Sequence, residues 1–514
     1  MQDKIEVPAY RMLYLDETLQ ENAMMEVIRD VSFASRIEKL QNPDFEKDYV
    51  PDSLKGILRE YQKAGAAWIG MLYSNQFGGI LADDMGLGKT LQVISFLLVE
   101  HTGCSLIVCP ASLVYNWKHE LERFAPSLKA DMVTGNVQQR KEVLDRWKEV
   151  DVLITSYDLL RRDITDYQEL HFFCEVIDEA QYIKNHGTQA ARAVKQVQTG
   201  FRLALTGTPI ENRLSELWSI FDYLMPGYLY SYQRFRTELE QPIVQHKDED
   251  AAKRLQRLIR PFVLRRLKKE VLQDLPDKLE ENLYADIDGE QQELYDAHVR
   301  RMKLMLEEKS DEEIRTDKIE ILAELTRLRQ LCCDPALLYD NYKGGSAKTE
   351  LVRGLIRNAV ENGHKVLLFS QFTTMLERLY RILEEEKIAS HMLTGATPKE
   401  KRIEMVESFA HDEVPVFCIS LKAGGTGLNL TAADVVIHFD PWWNSAVQNQ
   451  ATDRAHRIGQ KNVVNVYRIL AKGTIEEKIV ELQERKLQLS DRILGGESLQ
   501  AQGLTREELL ELLR

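Results

Sequence analysis

Short apolar segments alternate with helix-patterned stretches in two separate runs of the chain. This restricts the fold more than any other feature, because strand–helix–strand repeats close as parallel sheets with helices on their faces. The first run extends from about Leu54 to Leu224, with strands expected at Leu106–Cys109, Val152–Thr155, Val176–Ile177 and Leu203–Leu205. The second extends from about Leu351 to Leu470, with strands expected at Val366–Phe369, Val416–Ser420 and Val435–Phe439. Between them, from Tyr228 to Asp334, charge is high and apolar residues recur at helical spacing (Ile319, Leu322, Leu325, Leu328), which predicts helices projecting from the lobes. A chain of 514 residues is too long for one hydrophobic core. The expected fold is therefore α/β, two parallel-sheet lobes with helical insertions between and around them. The expected division is an N-terminal helical extension over 1–52, a first lobe over 53–275 with a helical insertion at about 225–262, a helical linker region over 276–345, a second lobe over 346–490 and a helical tail over 491–514.

In the first lobe, Asp83-Asp84-Met85-Gly86-Leu87-Gly88-Lys89-Thr90 follows the apolar Gly79-Ile80-Leu81-Ala82 and precedes the helix-patterned Leu91–Leu98. A strand, a glycine-bearing loop and a helix in that order turn backbone N–H groups and a helix N-terminus toward phosphate. Lys89 would reach the β- and γ-phosphates of a nucleotide and the Thr90 hydroxyl would hold magnesium. The usual pattern opens with glycine where this chain has Asp83. A second motif, Asp178-Glu179, ends the apolar Cys174-Glu175-Val176-Ile177. Adjacent carboxylates at a strand end suit the two tasks of nucleotide hydrolysis, with Asp178 holding magnesium and Glu179 polarising water. Thr206-Gly207-Thr208-Pro209 closes another strand with small hydroxyl residues able to sense a γ-phosphate, or forms an ordinary turn. Upstream, Gln62 carries both the donor and the acceptor needed to read an adenine edge.

In the second lobe, Arg454 and Arg457 stand three apart, which on a helix would put both guanidiniums on one face, where they could stabilise phosphoryl-transfer charge or merely form surface ion pairs. His456 between them suits a structural role. Ser420-Leu421-Lys422-Ala423-Gly424-Gly425-Thr426-Gly427 follows a strand, and its glycines would let backbone approach a phosphodiester closely.

The formal net charge of −14 sets long-range steering but leaves room for a local basic groove. From Lys253 to Lys269 there are eight Lys and Arg and no acid, a pattern that on its own usually marks a solvated helix face. None of the six cysteines forms a C-x-x-C pair and no histidine cluster completes a zinc site, so free thiols are expected, with Cys332-Cys333 in core packing. No apolar run approaches the roughly 20 residues that span a bilayer, and Met1–Tyr10 does not read as a signal peptide.

Taken in order, these motifs resemble the Swi/Snf-type branch of the superfamily 2 helicase-like ATPases, over roughly Leu54 to Lys478. The marks are Asp84 to Thr90, Cys109-Pro110 with Asn116-Trp117, Thr206-Gly207-Thr208-Pro209-Ile210-Glu211-Asn212, Leu264-Arg265-Arg266, Leu328-Arg329-Gln330-Leu331-Cys332, Phe369-Ser370-Gln371-Phe372, and Arg454 to Gln460. Asp83 at the loop start is normal for the branch. Two positions depart from its commonest pattern: Gln181 stands where histidine usually ends the acidic motif, and Ser445 where proline often follows Trp443-Asn444.

The resemblance implies two RecA-like lobes, a bacterial member, and ATP hydrolysis stimulated by double-stranded DNA, with translocation along the duplex but no strand separation. It implies nucleotide contacts from Arg59, Gln62, Asp84, Met85, Gly86, Leu87, Gly88, Lys89, Thr90 and Gln450. Magnesium would sit at Thr90 and Asp178, and catalysis would use Lys89, Asp178, Glu179, Arg454 and Arg457. DNA contacts would come from Pro110, Asn116, Trp117, Thr155 and Ser156 in lobe one and from Gln371, Thr394, Ser420, Lys422, Gly425 and Trp443 in lobe two, mostly to phosphates. A monomer in the bacterial cytoplasm or nucleoid, acting on a protein target carried by DNA, fits this reading, and 1–52 resembles the end of an accessory region. A strand-separating helicase and an ATP-gated protein switch are the competing functions.

Overall fold

The computed structural model describes residues 49–207, 214–272, 276–309, 317–411, 414–421, 429–443 and 445–481, with residues 12, 30, 31 and 483. Two compact units divide between Gln273 and Asp274.

The first unit is built on a seven-stranded sheet of order β3-β4-β2-β5-β6-β1-β7, all neighbours parallel. Its strands are β1 (Gly79–Leu81), β2 (Ser105–Cys109), β3 (Ala130–Met132), β4 (Val152–Ser156), β5 (His171–Asp178), β6 (Gln198–Leu205) and β7 (Val263–Leu264). Every residue of β1, β2 and β4 is buried, as expected when helices cover both faces of a parallel sheet. Helices α1 (Glu60–Ser74), α2 (Lys89–Val99), α3 (Val114–Phe124) and α4 (Tyr157–Arg162) supply part of that cover, and α5 (Glu249–Ile259) lies in the later helical stretch.

The second unit carries a six-stranded parallel sheet of order β10-β11-β9-β12-β13-β8. Its strands are β8 (Lys278–Ala285), β9 (Val366–Ser370), β10 (Ser390–Leu393), β11 (Val416–Ser420), β12 (Val435–His438) and β13 (Val464–Ala471), and its helices include α6 (Lys318–Cys333), α7 (Ala347–Glu361) and α8 (Ser445–Thr452). The expected α/β fold with two RecA-like parallel-sheet lobes is therefore present. The stretch expected to be helical from 276 instead opens with β8, whose Lys-Leu-Glu-Glu-Asn-Leu-Tyr-Ala sequence hides its nature because it is an edge strand and largely solvated. The helical spacing at 319–328 is realised as α6, with Leu325 and Leu328 buried and Leu322 exposed.

All six cysteines are free and buried. Cys332 and Cys333 point into two different hydrophobic clusters, so the pair is core packing, as expected. Among the described residues no helix is long and apolar enough to cross a membrane.

A fully buried ion pair ties the second unit together. Lys348 Nζ on α7 donates to Glu476 Oε1 and Oε2 at 2.9 and 2.8 Å, and Glu476 Oε2 also accepts the Ala471 N–H at 2.9 Å. Removing one partner strands the other charge in the core, so Lys348→Met is expected to destabilise this unit by about 3–5 kcal/mol. Lys348→Met with Glu476→Leu should be less destabilised than the single variant. Urea unfolding followed by tryptophan fluorescence checks this, and a single variant as stable as the wild type would contradict it.

Candidate functional site

The phosphate-loop motif occupies the turn between β1 and α2. Gly86 and Gly88 have φ of 83° and 75°, a left-handed backbone that other residues resist. At Gly88 a Cβ would also stand 2.5 Å from Gln62 Nε2. Lys89, the first residue of α2, donates to the carbonyls of Asp83 (2.5 Å) and Asp84 (3.5 Å). The loop is held from α1: the Tyr61 hydroxyl and Gln62 Nε2 both donate to the Leu87 carbonyl at 3.0 Å. Gln62 Oε1 accepts the Arg59 N–H at 2.9 Å. Gln62 is buried, and one N–H and the oxygen of its amide brace the loop. Arg59 and Thr90 are half-buried.

Asp178 ends β5 and is fixed on several sides. Trp117 Nε1 on α3 donates to its Oδ2 at 2.9 Å, the Glu179 N–H to its Oδ1 at 2.9 Å, and the Tyr157 hydroxyl to its carbonyl at 2.8 Å. Burial and then the neighbouring Glu179 carboxylate push the Asp178 acid up to about 6, against the Trp117 hydrogen bond and the positive charge of Lys89. A carboxylate crowded in this way gains from a cation. A carboxylate and a hydroxyl are oxygen donors of the kind magnesium takes beside phosphates, and Asp178 with Thr90 would supply them. Glu179 has φ of 52°, a left-handed backbone that non-glycine residues resist. Gln181, the departure from the commoner histidine, donates from Nε2 to Glu179 Oε2 at 2.7 Å and accepts the Thr206 hydroxyl at Oε1 at 3.0 Å. It therefore links the acidic pair to the end of β6, a bridge that sequence reading missed. Gly207 follows, where a Cβ would stand 3.4 Å from Met85 Cγ. Thr208 to Asn212 lie outside the described residues.

In the second unit, Arg454 and Arg457 do not share a helix face. α8 ends at Thr452, and both arginines stand in the turns that follow. The Arg454 carbonyl accepts the Leu430 N–H and the Arg457 carbonyl accepts the Gln460 N–H, each at 3.0 Å. Gln460 Nε2 secures the segment by donating to the Ala433 carbonyl at 2.8 Å, and His456 bonds the Pro276 carbonyl at 2.8 Å, a structural role. Arg454 is buried; Arg457 and Gln450 are half-buried.

The residues expected to face DNA divide sharply. Asn116, Thr394, Gln371 and Trp443 are half-buried. Pro110, Trp117, Thr155, Ser156 and Ser420 are buried, and buried side chains have no surface to give a phosphate. Trp117 instead positions Asp178, Thr155 Oγ1 reaches the Val133 carbonyl at 3.4 Å, and Ser156 caps α4 by accepting the Leu159 N–H. Lys422 and Gly425 lie outside the described residues. The basic stretch 253–269 is also partly spent on internal pairs, since Arg254, on α5, lies 3.6 Å from Glu238 and Arg266 pairs with Asp83. Arg329, buried on α6, donates to Gln371 Oε1 at 3.1 Å and lies 5.7 Å from the Trp443 ring centroid.

The chain matches the SNF2-related domain over residues 61–337 and the helicase conserved C-terminal domain over residues 347–459. It is 42% identical over 464 residues to an uncharacterized ATP-dependent helicase of Mycoplasma genitalium, covering 88% of this chain and 44% of that protein. With a putative ATP-dependent helicase/translocase of Bacillus subtilis it shares 41% identity over 479 residues, 90% of this chain and 51% of the relative. Among solved structures, the Sulfolobus solfataricus SWI2/SNF2 ATPase core in complex with dsDNA is 36% identical, with 88% of this chain and 96% of that chain covered and a TM-score of 0.45. The chain belongs to the SNF2-related, Swi/Snf-type family of superfamily 2 helicase-like ATPases. It spans about half the length of the curated relatives it matches.

Asp178 should therefore titrate near 6 in the ligand-free protein, protonated below and ionised above, against about 3.9 for an unperturbed aspartate. Trp117→Phe removes a hydrogen bond to the ionised form and should move the midpoint higher. Carboxyl carbon NMR of aspartate-labelled protein reads both, and a wild-type midpoint in the ordinary range would contradict the described environment.

Proposed function

We propose that this chain is a DNA-dependent ATPase motor that translocates along double-stranded DNA without separating its strands. The observation that supports it most is the convergence of Lys89, Asp178, Glu179 and the Thr206–Gln181 bridge at the ends of strands of one sheet, in a chain of the SNF2-related family. Lys89 supplies charge to the β- and γ-phosphates, and the loop amides between Asp84 and Thr90 cradle them. Magnesium, held by Asp178 and Thr90, would neutralise developing phosphate charge. Glu179 orients the attacking water and takes its proton. Gln181 passes the state of Glu179 to Thr206, so the acidic pair and the β6 end respond together. Arg454 and Arg457 are the proposed source of positive charge for the transition state.

The proposed partner is duplex DNA, contacted at its phosphates through half-buried polar residues, Asn116 in the first unit and Thr394 in the second, with Gln371 and Trp443 of the second unit contributing. Action as a cytoplasmic monomer on a protein carried by DNA completes the reading. Two substrates test it. With ATP the chain should displace the third strand of a triplex and leave a forked duplex paired, and Lys89→Ala should displace no strand from either. Efficient unwinding of the fork would overturn the proposal in favour of a helicase. Hydrolysis with no displacement of either would favour an ATP-gated switch.

A further inference from the structure

Asp83 puts a carboxylate at the start of a loop that must hold a polyanion, and it is fully buried. Both of its oxygens are occupied. Arg266 Nε donates to Oδ1 at 2.8 Å; Arg266 Nη2 and, at 3.1 Å, Gln92 Nε2 donate to Oδ2. Arg266 reaches this place because β7 lies beside β1 and the backbone pairing continues past the strand ends: Ala82 N–H donates to the Leu264 carbonyl at 2.7 Å and Asp84 N–H to the Arg266 carbonyl at 3.0 Å. The Lys268 N–H takes the Asp84 carboxylate in the same way, at 3.0 Å. The guanidinium also donates to Gln92 Oε1 at 2.7 Å and to the Tyr61 carbonyl, next to the Gln62 that braces the loop. Gly65 leaves the room for this cluster, since a Cβ there would fall 1.8 Å from Gln92 Oε1 and 2.8 Å from Arg266 Nη2. Lys89 meanwhile bonds the carbonyl of Asp83, not its carboxylate.

We propose that Arg266 is a positioning residue for the nucleotide: it draws the Asp83 carboxylate toward β7 and neutralises it, so that Lys89 keeps its charge for phosphate. This rests on the reading of the loop as an ATP site. A carboxylate released from Arg266 would repel the incoming phosphates and compete for the Lys89 ammonium, and in a poorly solvated setting neither effect is screened by water. The cluster also explains how the loop accepts aspartate where phosphate loops commonly open with glycine: the side chain is turned away from the loop into a set of donors built for it.

The test is ATP affinity by calorimetry, with turnover, on the full chain. Arg266→Ala should weaken ATP binding by about tenfold or more, as expected when one member of a buried charge pair is removed. Adding Asp83→Asn should restore affinity to within a few-fold of the wild type. A merely structural arginine would be rescued in the same way but would cost affinity only where folding is lost, so binding is measured at a temperature where thermal melting shows Arg266→Ala to be folded; failure of the rescue overturns the proposal, as does unchanged affinity in folded Arg266→Ala. Should the single variant not fold, Arg266→Ala/Asp83→Asn is compared with Asp83→Asn alone. Equal ATP affinities are expected, because no carboxylate remains to divert, and a weaker double variant overturns the idea. Lys89→Ala separates the two levels. If it hydrolyses ATP normally, the ATP-site reading itself falls; if it is inactive while Arg266→Ala binds ATP like the wild type, only the role of Arg266 falls.

Discussion

Four parallel strands of the first unit share one register, and the candidate site hangs on it. Asp178 pairs with Leu205, Leu205 with Leu81 and Leu81 with Leu264, across β5, β6, β1 and β7. The residues just beyond that row are Glu179, Thr206, Asp83 and Arg266. In parallel sheets the carboxyl ends of the strands are where ligands bind, because loops and helix N-termini gather there. A slip of β5 would pull Asp178 from Trp117, a slip of β6 would pull Thr206 from Gln181, and a slip of β1 or β7 would part Asp83 from Arg266. The apolar, fully buried centre of this sheet is therefore what keeps its polar rim in place.

The rim is electrostatically balanced by partners drawn from distant segments. Asp83 is countered by Arg266, and Asp178 is stabilised by the Trp117 indole and by the charge of Lys89 while Glu179 opposes it. One acid is thus paired with a cation and the other has its acidity weakened by burial, at the ends of two strands that flank β6 in one sheet.

Much of this was legible in the sequence. Apolar runs such as Leu106–Cys109 and Val366–Phe369 are strands because only a sheet buried on both faces uses such runs. Lys89 and the Asp178-Glu179 pair stood out by their position after those strands. The rest depended on pairings that no local pattern reveals. β8 reads as a charged stretch because an edge strand is largely solvated, and β7 is two residues long. Trp117 was expected, from the resemblance, to contact DNA; its hydrogen bond to Asp178 joins residues too far apart in the chain for any local pattern to reveal. The three-residue spacing of Arg454 and Arg457 suggested a helix, but α8 had already ended at Thr452. Gln62 offered the hydrogen-bonding groups for adenine, but no local pattern shows that its amide also braces the Leu87 carbonyl and the Arg59 N–H.

The central claim is that this nucleotide site serves a motor whose track is duplex DNA. The most direct measurement is steady-state ATP turnover by the full chain with no nucleic acid, with duplex DNA, with single-stranded DNA and with RNA at equal nucleotide concentration and fixed salt. The account predicts low basal turnover, strong stimulation by duplex DNA and much weaker stimulation by the single strand and by RNA. Turnover that is the same with and without duplex DNA, or that rises most with a single strand or with RNA, would contradict it.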